Sequence, residues 1–227
     1  MARAVVLLSG GMDSATALFV ARSRGESLFA LSFDYGQRHR RELAAARALA
    51  RAAGVRDHRI LRIDLAGFGG SALTDATAQV PRRRALERIG RGIPATYVPA
   101  RNTILLSFAL AYAESVKADR IYIGANALDY SGYPDCRPEF FRAFQRVARL
   151  GTKRGVEGHP IAIVAPLLRK TKEDIVRLGT RLGVPFHLTW SCYLGGKRPC
   201  GECDSCRLRA KGFREAGLPD PARVRPR

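Results

Sequence analysis

Apolar residues in this chain fall into short unbroken runs that alternate with longer stretches of helical spacing. Val5-Val6-Leu7-Leu8 opens the series, and Ala15 to Arg22 follows with apolar positions at helical intervals. A short apolar block bounded by turn residues predicts a strand buried on both faces, and the helical spacing predicts a helix packed on it. Continued along the chain, this reading places strands at 4–8, 27–33, 57–65, 120–124 and 161–165. It places helices at 13–23, 38–53, 103–116, 138–150 and from a Thr171 cap to 182. Gly54 supplies a helix stop, and Asp174 stands three residues after Thr171 as in a capping box. The alternation implies an α/β fold, with a doubly wound, mostly parallel five-stranded sheet and right-handed crossovers. Ligands of such sheets bind beyond the carboxyl ends of the strands.

Two regions depart from the alternation. Residues 66–94 are rich in Gly, Ala, Thr and Arg and carry no period, which predicts a mobile loop with its basic residues near bound phosphates. Beyond the last helix the chain turns to Gly and Cys, so 1–185 reads as the α/β domain and 186–227 as a C-terminal segment with a basic tail.

The chemistry gathers at predicted strand ends. Leu8-Ser9-Gly10-Gly11-Met12-Asp13-Ser14 joins the first strand to the first helix. A helix N-terminus carries unpaired N–H groups and a positive dipole end, and Gly lets the backbone approach a phosphate closely. Ser9 and Ser14 add hydroxyls, and Asp13 suits a magnesium ion or a helix cap. The loop matches neither the Gly-x-Gly-x-x-Gly nor the Gly-x-x-x-x-Gly-Lys-Ser/Thr pattern. Ser-Gly-Gly-x-Asp-Ser resembles instead the pyrophosphate-binding loop of the ATP pyrophosphatase (PP-loop) superfamily. Asp34, Tyr35 and Gln37 follow the second strand, and Arg101 and Asn102 open the third helix. Asn102 is a good N-cap, whereas a cation such as Arg101 is disfavoured there unless an anion lies near. After the fourth strand comes a loop with Asn126, Asp129, Tyr130, Ser131, Tyr133, Asp135, Cys136 and Arg137. Tyr can stack on a planar ring, Asp and Asn can accept from ring N–H groups, and Arg can grip a carboxylate at two points. Cys136 has no His beside it in sequence to activate it, which favours a structural or substrate-contact role.

Cys192, Cys200, Cys203 and Cys206 form the pattern C-x7-C-x2-C-x2-C. Four thiolates with no open position make a closed structural zinc site, with an iron–sulfur cluster as the rival. The chain has 227 residues, no apolar run near the ~20 residues of a membrane helix, and a start that leads directly into a strand. The expected location is the cytoplasm, where such cysteines bind metal rather than form disulfides. Net charge is +19, and 33 of the 39 cationic side chains are arginine. That balance fits nucleic acid, an anionic small substrate or an Arg-favouring genome. Because the arginines are spread through the chain, nucleic acid is not the expected partner.

The blocks 8–14, 33–39, 97–103 and 129–138, with Cys192 to Cys206, are similar in content and order to the 7-cyano-7-deazaguanine synthases. The resemblance spans nearly the whole chain and departs chiefly at 82–91 and in the Arg-rich tail. It implies a ligase that uses ATP, magnesium and ammonia to convert 7-carboxy-7-deazaguanine to the nitrile in queuosine biosynthesis. Under it, Leu8 to Ser14 bind ATP, and Asp13, Ser14 and Arg101 serve catalysis, with Arg101 or Lys170 neutralising phosphate. Tyr35, Gln37, Asn102, Asn126, Asp129, Tyr130, Tyr133, Asp135 and Arg137 are its substrate-binding candidates. A homodimer is the family expectation. A tRNA-modifying member of the same superfamily is the alternative reading.

Overall fold

The computed structural model describes residues 1–89, 91–126 and 132–222. Strands β1 (Arg3–Leu7), β2 (Ser27–Asp34), β3 (Asp57–Arg62), β4 (Arg120–Tyr122) and β5 (Ala162–Val164) form one sheet in the order β3-β2-β1-β4-β5. Every pairing is parallel, as the strand–helix alternation predicts. Among the described residues, the helices of ten residues or more are α1 (Met12–Ser23), α2 (Arg41–Ala53), α3 (Arg101–Ser115), α4 (Pro138–Leu150), α5 (Lys172–Arg181) and α6 (Asp204–Glu215).

The unbroken apolar run of β1 has a direct cause. Ala4, Val6 and Leu8 enter one core with α1, α2, α5 and α6, while Val5 and Leu7 enter the other with α3 and α4. Successive side chains of a strand point to opposite faces, so a central strand covered on both sides needs no polar positions. Val5 and Val6 are fully buried, each contributing roughly 1.5–3 kcal/mol. The chain winds outward from β1 to β2 and β3, then returns to β4 on the other side of β1. The switch lies between β1 and β4, where α/β sheets open a ligand crevice at their carboxyl ends.

Element ends differ from the sequence pattern where side chains from elsewhere intervene. Helix α3 begins at Arg101 instead of Thr103, and its N-cap is Ala100, held at φ +51°. Asn102 therefore lies inside the helix and does not cap it. Helix α2 begins at Arg41 instead of Arg38, because the Arg38 side chain is drawn off to the carbonyls of Ala72 and Asp75. Gly54 ends α2 in the left-handed region, and Thr171 and Asp174 close the expected capping box.

Residues 66–94 contain two short 3-10 turns, at Ala66–Phe68 and Leu86–Arg88. Ala72 and Val80 are buried in a third small core with Cys192, Cys203 and Cys206. Arg82 makes an antiparallel bridge to Cys203, Arg83 pairs with Glu202 at 2.6 Å, and Arg84 pairs with Asp204 at 3.1 Å. Arg83 and Arg84 thus answer acids of the cysteine segment.

Candidate active site and cysteine cluster

The loop after β1 is set by its glycines. Gly10 has φ +92°, and a Cβ there would lie 2.2 Å from the Glu42 carbonyl oxygen. Only Gly fits where the loop packs on the first turn of α2. Gly124, just past β4, backs the first turn of α1, and its Cβ would lie 2.8 Å from Ser14 N. Trp190 N donates to Gly10 O at 2.9 Å, which ties the C-terminal segment to the loop. Inside the loop, the Ser9 and Ser14 hydroxyls lie 3.0 Å apart and Gly11 N donates to Ser9 Oγ at 3.3 Å. The N-cap of α1 is Gly11, with no side-chain capping bond, so the first-turn N–H groups remain available to an anion.

Asp13 sits in that first turn. Its Oδ2 accepts from Lys172 Nζ at 2.6 Å and from Asn126 Nδ2 at 3.2 Å, while Oδ1 is buried without a hydrogen-bond partner. A buried carboxylate oxygen left over beside a phosphate-type loop is a fitting donor for a hard cation such as magnesium. Lys172 is the cation the structure brings to the loop. Of the two cations expected from the sequence, Arg101 lines the cavity and Lys170 does not.

A cavity of about 260 Å³ opens at the carboxyl ends of β1 and β4. It is lined by Ser9, Asp13, Ser14, Tyr35, Gln37, Arg101, Asn102, Tyr133 and Cys136 from the sequence candidates, and by Glu42, Lys172 and Trp190 in addition. The Arg101 guanidinium stands 6.0 Å from the centre of the Tyr35 ring. Burial pushes the Tyr35 hydroxyl above its ordinary value and the Glu42 carboxyl up to about 7. Gln37 spans its own turn, accepting from Tyr35 N at 2.7 Å and donating to Phe33 O at 3.1 Å. Tyr133 packs its ring 6.0 Å from that of Tyr97 and meets the Thr96 hydroxyl at 3.2 Å.

Three candidates stand behind the wall. Asp135 is buried, and its Oδ2 accepts from Asn102 N at 2.8 Å, so it serves the start of α3 as an acidic cap. Asn102 Nδ2 donates to Asp135 O at 3.2 Å and to Cys136 Sγ at 3.0 Å. Among the described residues, Asn126, Asp135 and Arg137 do not line the cavity. Asp129 and Tyr130 lie outside the described residues. Sequence reasoning missed Lys172 and Glu42 because each sits inside a regular helical pattern. Their only signal was a charged residue in the first turn of a helix that follows a strand.

The four cysteine sulfurs lie within 4.8 Å of one another, with Cys192, Cys203 and Cys206 buried. Four sulfurs each ~2.3 Å from a central zinc would be about 3.8 Å apart, so the cluster has the size of a tetrahedral site. Backbone N–H groups of Leu194 and Cys200 point at Cys192 Sγ, and those of Glu202 and Cys203 at Cys200 Sγ, at 3.3–3.4 Å. Such bonds favour thiolates. Hydrogen bonds from Cys203 and Cys206 hold the Cys192 thiol well below the usual range. The Cys192 carbonyl accepts from Trp190 Nε1 and His39 Nε2, each at 2.9 Å, and Gly195 abuts the His39 ring. Burial lowers His39 from its ordinary value.

The phosphate-type loop and the metal-sized cysteine cluster meet in one chain, and comparison with known proteins gives that pairing a family. The family model described as queuosine biosynthesis protein QueC matches residues 3–217. The chain belongs to the QueC family. It is 61% identical over 221 residues to a 7-cyano-7-deazaguanine synthase of Anaeromyxobacter dehalogenans, covering 96% of this chain and 94% of that protein. It is 59% identical over 219 residues to a 7-cyano-7-deazaguanine synthase of Trichodesmium erythraeum, covering 96% and 99%. Among solved structures, NMN synthetase from Francisella tularensis matches with a TM-score of 0.51 at 16% identity, covering 96% of this chain and 87% of that one. A 4-thiouridine synthetase–RNA complex with bound ATP matches with a TM-score of 0.50 at 18% identity, covering 95% of this chain and 50% of that one. These two likenesses show the fold, a parallel α/β architecture. No helix among the described residues is long and apolar enough to cross a membrane.

Proposed function

We propose that this QueC-family protein is a ligase that converts 7-carboxy-7-deazaguanine and ammonia to 7-cyano-7-deazaguanine at the expense of ATP. The observation that carries the reading is the cavity bounded by the Ser9–Ser14 loop on one side and by Arg101 and Tyr133 on the other. A triphosphate and a planar acid would meet there.

ATP would lie with its phosphates on the loop, against the first-turn N–H groups of α1 and Lys172. Asp13 Oδ1, together with phosphate oxygens, would hold magnesium, which supplies charge neutralisation. Arg101 would orient the carboxylate of the deazaguanine, with the ring against Tyr133 and Tyr35. A carboxylate oxygen attacks the α-phosphorus and pyrophosphate leaves, giving an acyl adenylate. Ammonia attacks the acyl carbon and AMP leaves, giving the amide. The amide oxygen attacks the α-phosphorus of a second ATP and pyrophosphate leaves, and loss of AMP with both nitrogen protons leaves the nitrile. The residues' part is electrostatic: donors fixed in advance stabilise charge as it develops on phosphate and carbonyl oxygens. Asn102, Asn126, Asp135 and Arg137 would act by holding Arg101, Asp13 and the neighbouring loop in place, with Asp129 and Tyr130 completing the base pocket.

Zinc would sit in the Cys192–Cys200–Cys203–Cys206 cluster as a closed structural ion that staples segment 186–227 to domain 1–185. The protein is read as a cytoplasmic homodimer. One assay tests the function. Purified protein receives ATP, magnesium, ammonium and 7-carboxy-7-deazaguanine, and products are followed by mass spectrometry and nucleotide chromatography. Nitrile with AMP supports the scheme, nitrile with ADP replaces adenylation by phosphorylation, and no nitrile from active-folded, metal-loaded protein overturns it.

A further inference from the structure

The main cavity has an annex. Tyr35, Gln37, Glu42, Leu73 and Tyr193 line the cavity and also a small chamber of about 20 Å³, which Arg38 and His39 line as well. A water-sized molecule needs roughly 10–15 Å³ of such space, so the chamber holds one molecule of that size. A nucleotide or a deazapurine cannot enter it.

Its walls are one-sided in chemistry. The Arg38 guanidinium is engaged with the carbonyls of Ala72, Asp75, Ala76 and Ala78 and offers little to the chamber. His39 Nε2 faces the Cys192 carbonyl, which can only accept, so that nitrogen carries the hydrogen. Gly195 covers the Cδ2 edge of the ring, and Nδ1 on the opposite edge is buried with no hydrogen-bond partner. Glu42 is half-buried, and no described residue makes a hydrogen bond or an ion pair with its carboxylate. The chamber therefore combines a carboxylate that no described residue hydrogen-bonds, with the Arg101 charge acting on it from beyond ion-pair distance, an unsatisfied ring nitrogen and two tyrosines. Acceptors and aromatic faces attract a small cation and repel an anion.

We infer that this chamber is the ammonium site, with Glu42 as the residue that binds the ion and takes its proton. The inference rests on the proposed function and deepens it by naming where nitrogen enters. Ammonium has four N–H donors and no lone pair, so it cannot attack a carbonyl carbon. One proton moves from nitrogen to a Glu42 oxygen, leaving ammonia and a neutral carboxylic acid. The freed lone pair forms the C–N bond at the acyl carbon while the C–O bond to AMP breaks, and the departing AMP phosphate takes the second nitrogen proton. The chamber and the cavity share five lining residues, so ammonia released there stands beside the cavity.

The test is initial-rate kinetics with ammonium chloride varied, on the full-length zinc-loaded protein. Glu42→Gln is expected to raise KM for ammonium at least tenfold, with KM for ATP changing less than twofold. Leu73→Ala enlarges the chamber and is expected to let methylammonium yield the N-methyl amide, which wild type does not form. Thermal melting checks that Glu42→Gln folds, and the Leu73→Ala arm decides if it does not. An unchanged ammonium KM in folded Glu42→Gln, or no methylamide from ammonium-active Leu73→Ala, overturns the ammonium site alone. Wild type that makes no amide or nitrile from ammonium overturns the functional reading and the ammonium site with it.

Discussion

Lys172 Nζ stands 2.6 Å from Asp13 Oδ2, although the two residues are 159 positions apart. The pair pins the first turn of α5 to the first turn of α1, at the point where the phosphate-type loop ends. The Lys172 side chain is only 10% exposed, so removing its partner strands a cation out of water. Asp13→Ala is expected to lower stability by about 3 kcal/mol in urea denaturation. Lys172→Met, which removes the cation and keeps the volume, is expected to cost roughly a hundredfold in kcat/KM for ATP, with a smaller stability change. Equal activity losses for ATP and ammonium as varied substrates would place Lys172 outside the phosphate site.

Asp135 gives a second prediction. Its Oδ2 accepts from Asn102 N at 2.8 Å, one residue after Arg101. Asp135→Ala is expected to cost about 1–2 kcal/mol in thermal unfolding and, by releasing the start of α3, to raise KM for the deazaguanine acid about tenfold. Asp135→Asn keeps an acceptor at the cap and is expected to stay near wild type in both. A large KM rise for Asp135→Asn with an unchanged melting temperature would mean that the carboxylate reads the base directly.

The cysteine cluster predicts one zinc per chain by elemental analysis. Cys203→Ser is expected to lose that ion and about 4 kcal/mol, which lowers Tm by roughly 8–16 °C. Because Arg83 and Arg84 pair with Glu202 and Asp204 between and beside the ligands, metal loss also frees residues 82–84. Trypsin is expected to cut there in chelator-treated protein and spare the zinc-loaded form. An iron–sulfur cluster would instead show visible absorbance and bound iron.

Glu42 makes stability depend on pH. Burial raises its carboxyl from 4.5 to about 7 in the folded protein. An acid whose folded value is raised contributes stability below its unfolded value, and that contribution fades as pH rises through about 7. Glu42→Gln removes the titration, so wild type and variant are expected to match at pH 4.5. At pH 8 the variant is expected to be more stable by about 2 kcal/mol in urea denaturation, in the absence of ammonium. No difference at pH 8 would show a well-solvated carboxylate.

Much of this protein is written locally. The run of β1 and the apolar spacing of α1 are patterns of neighbours, so period and turn chemistry reveal them without knowledge of contacts. The Ser9–Ser14 loop and the C-x7-C-x2-C-x2-C spacing are legible for the same reason, since each ligand set is built within a few turns of chain. Sheet order and register decided the rest. Parallel pairing of β1 with both β2 and β4 brings Asp13, Asn126 and Lys172 together from three distant segments, and no local pattern prefers Lys172 over Lys170. Folding likewise turned Asp135 from a residue available to a base into a cap for α3. It set Glu42, an ordinary helix acid in sequence, against a chamber where no described residue hydrogen-bonds its carboxylate. Those outcomes depend on which polar groups burial leaves satisfied, and burial is a property of the packed layers rather than of the chain.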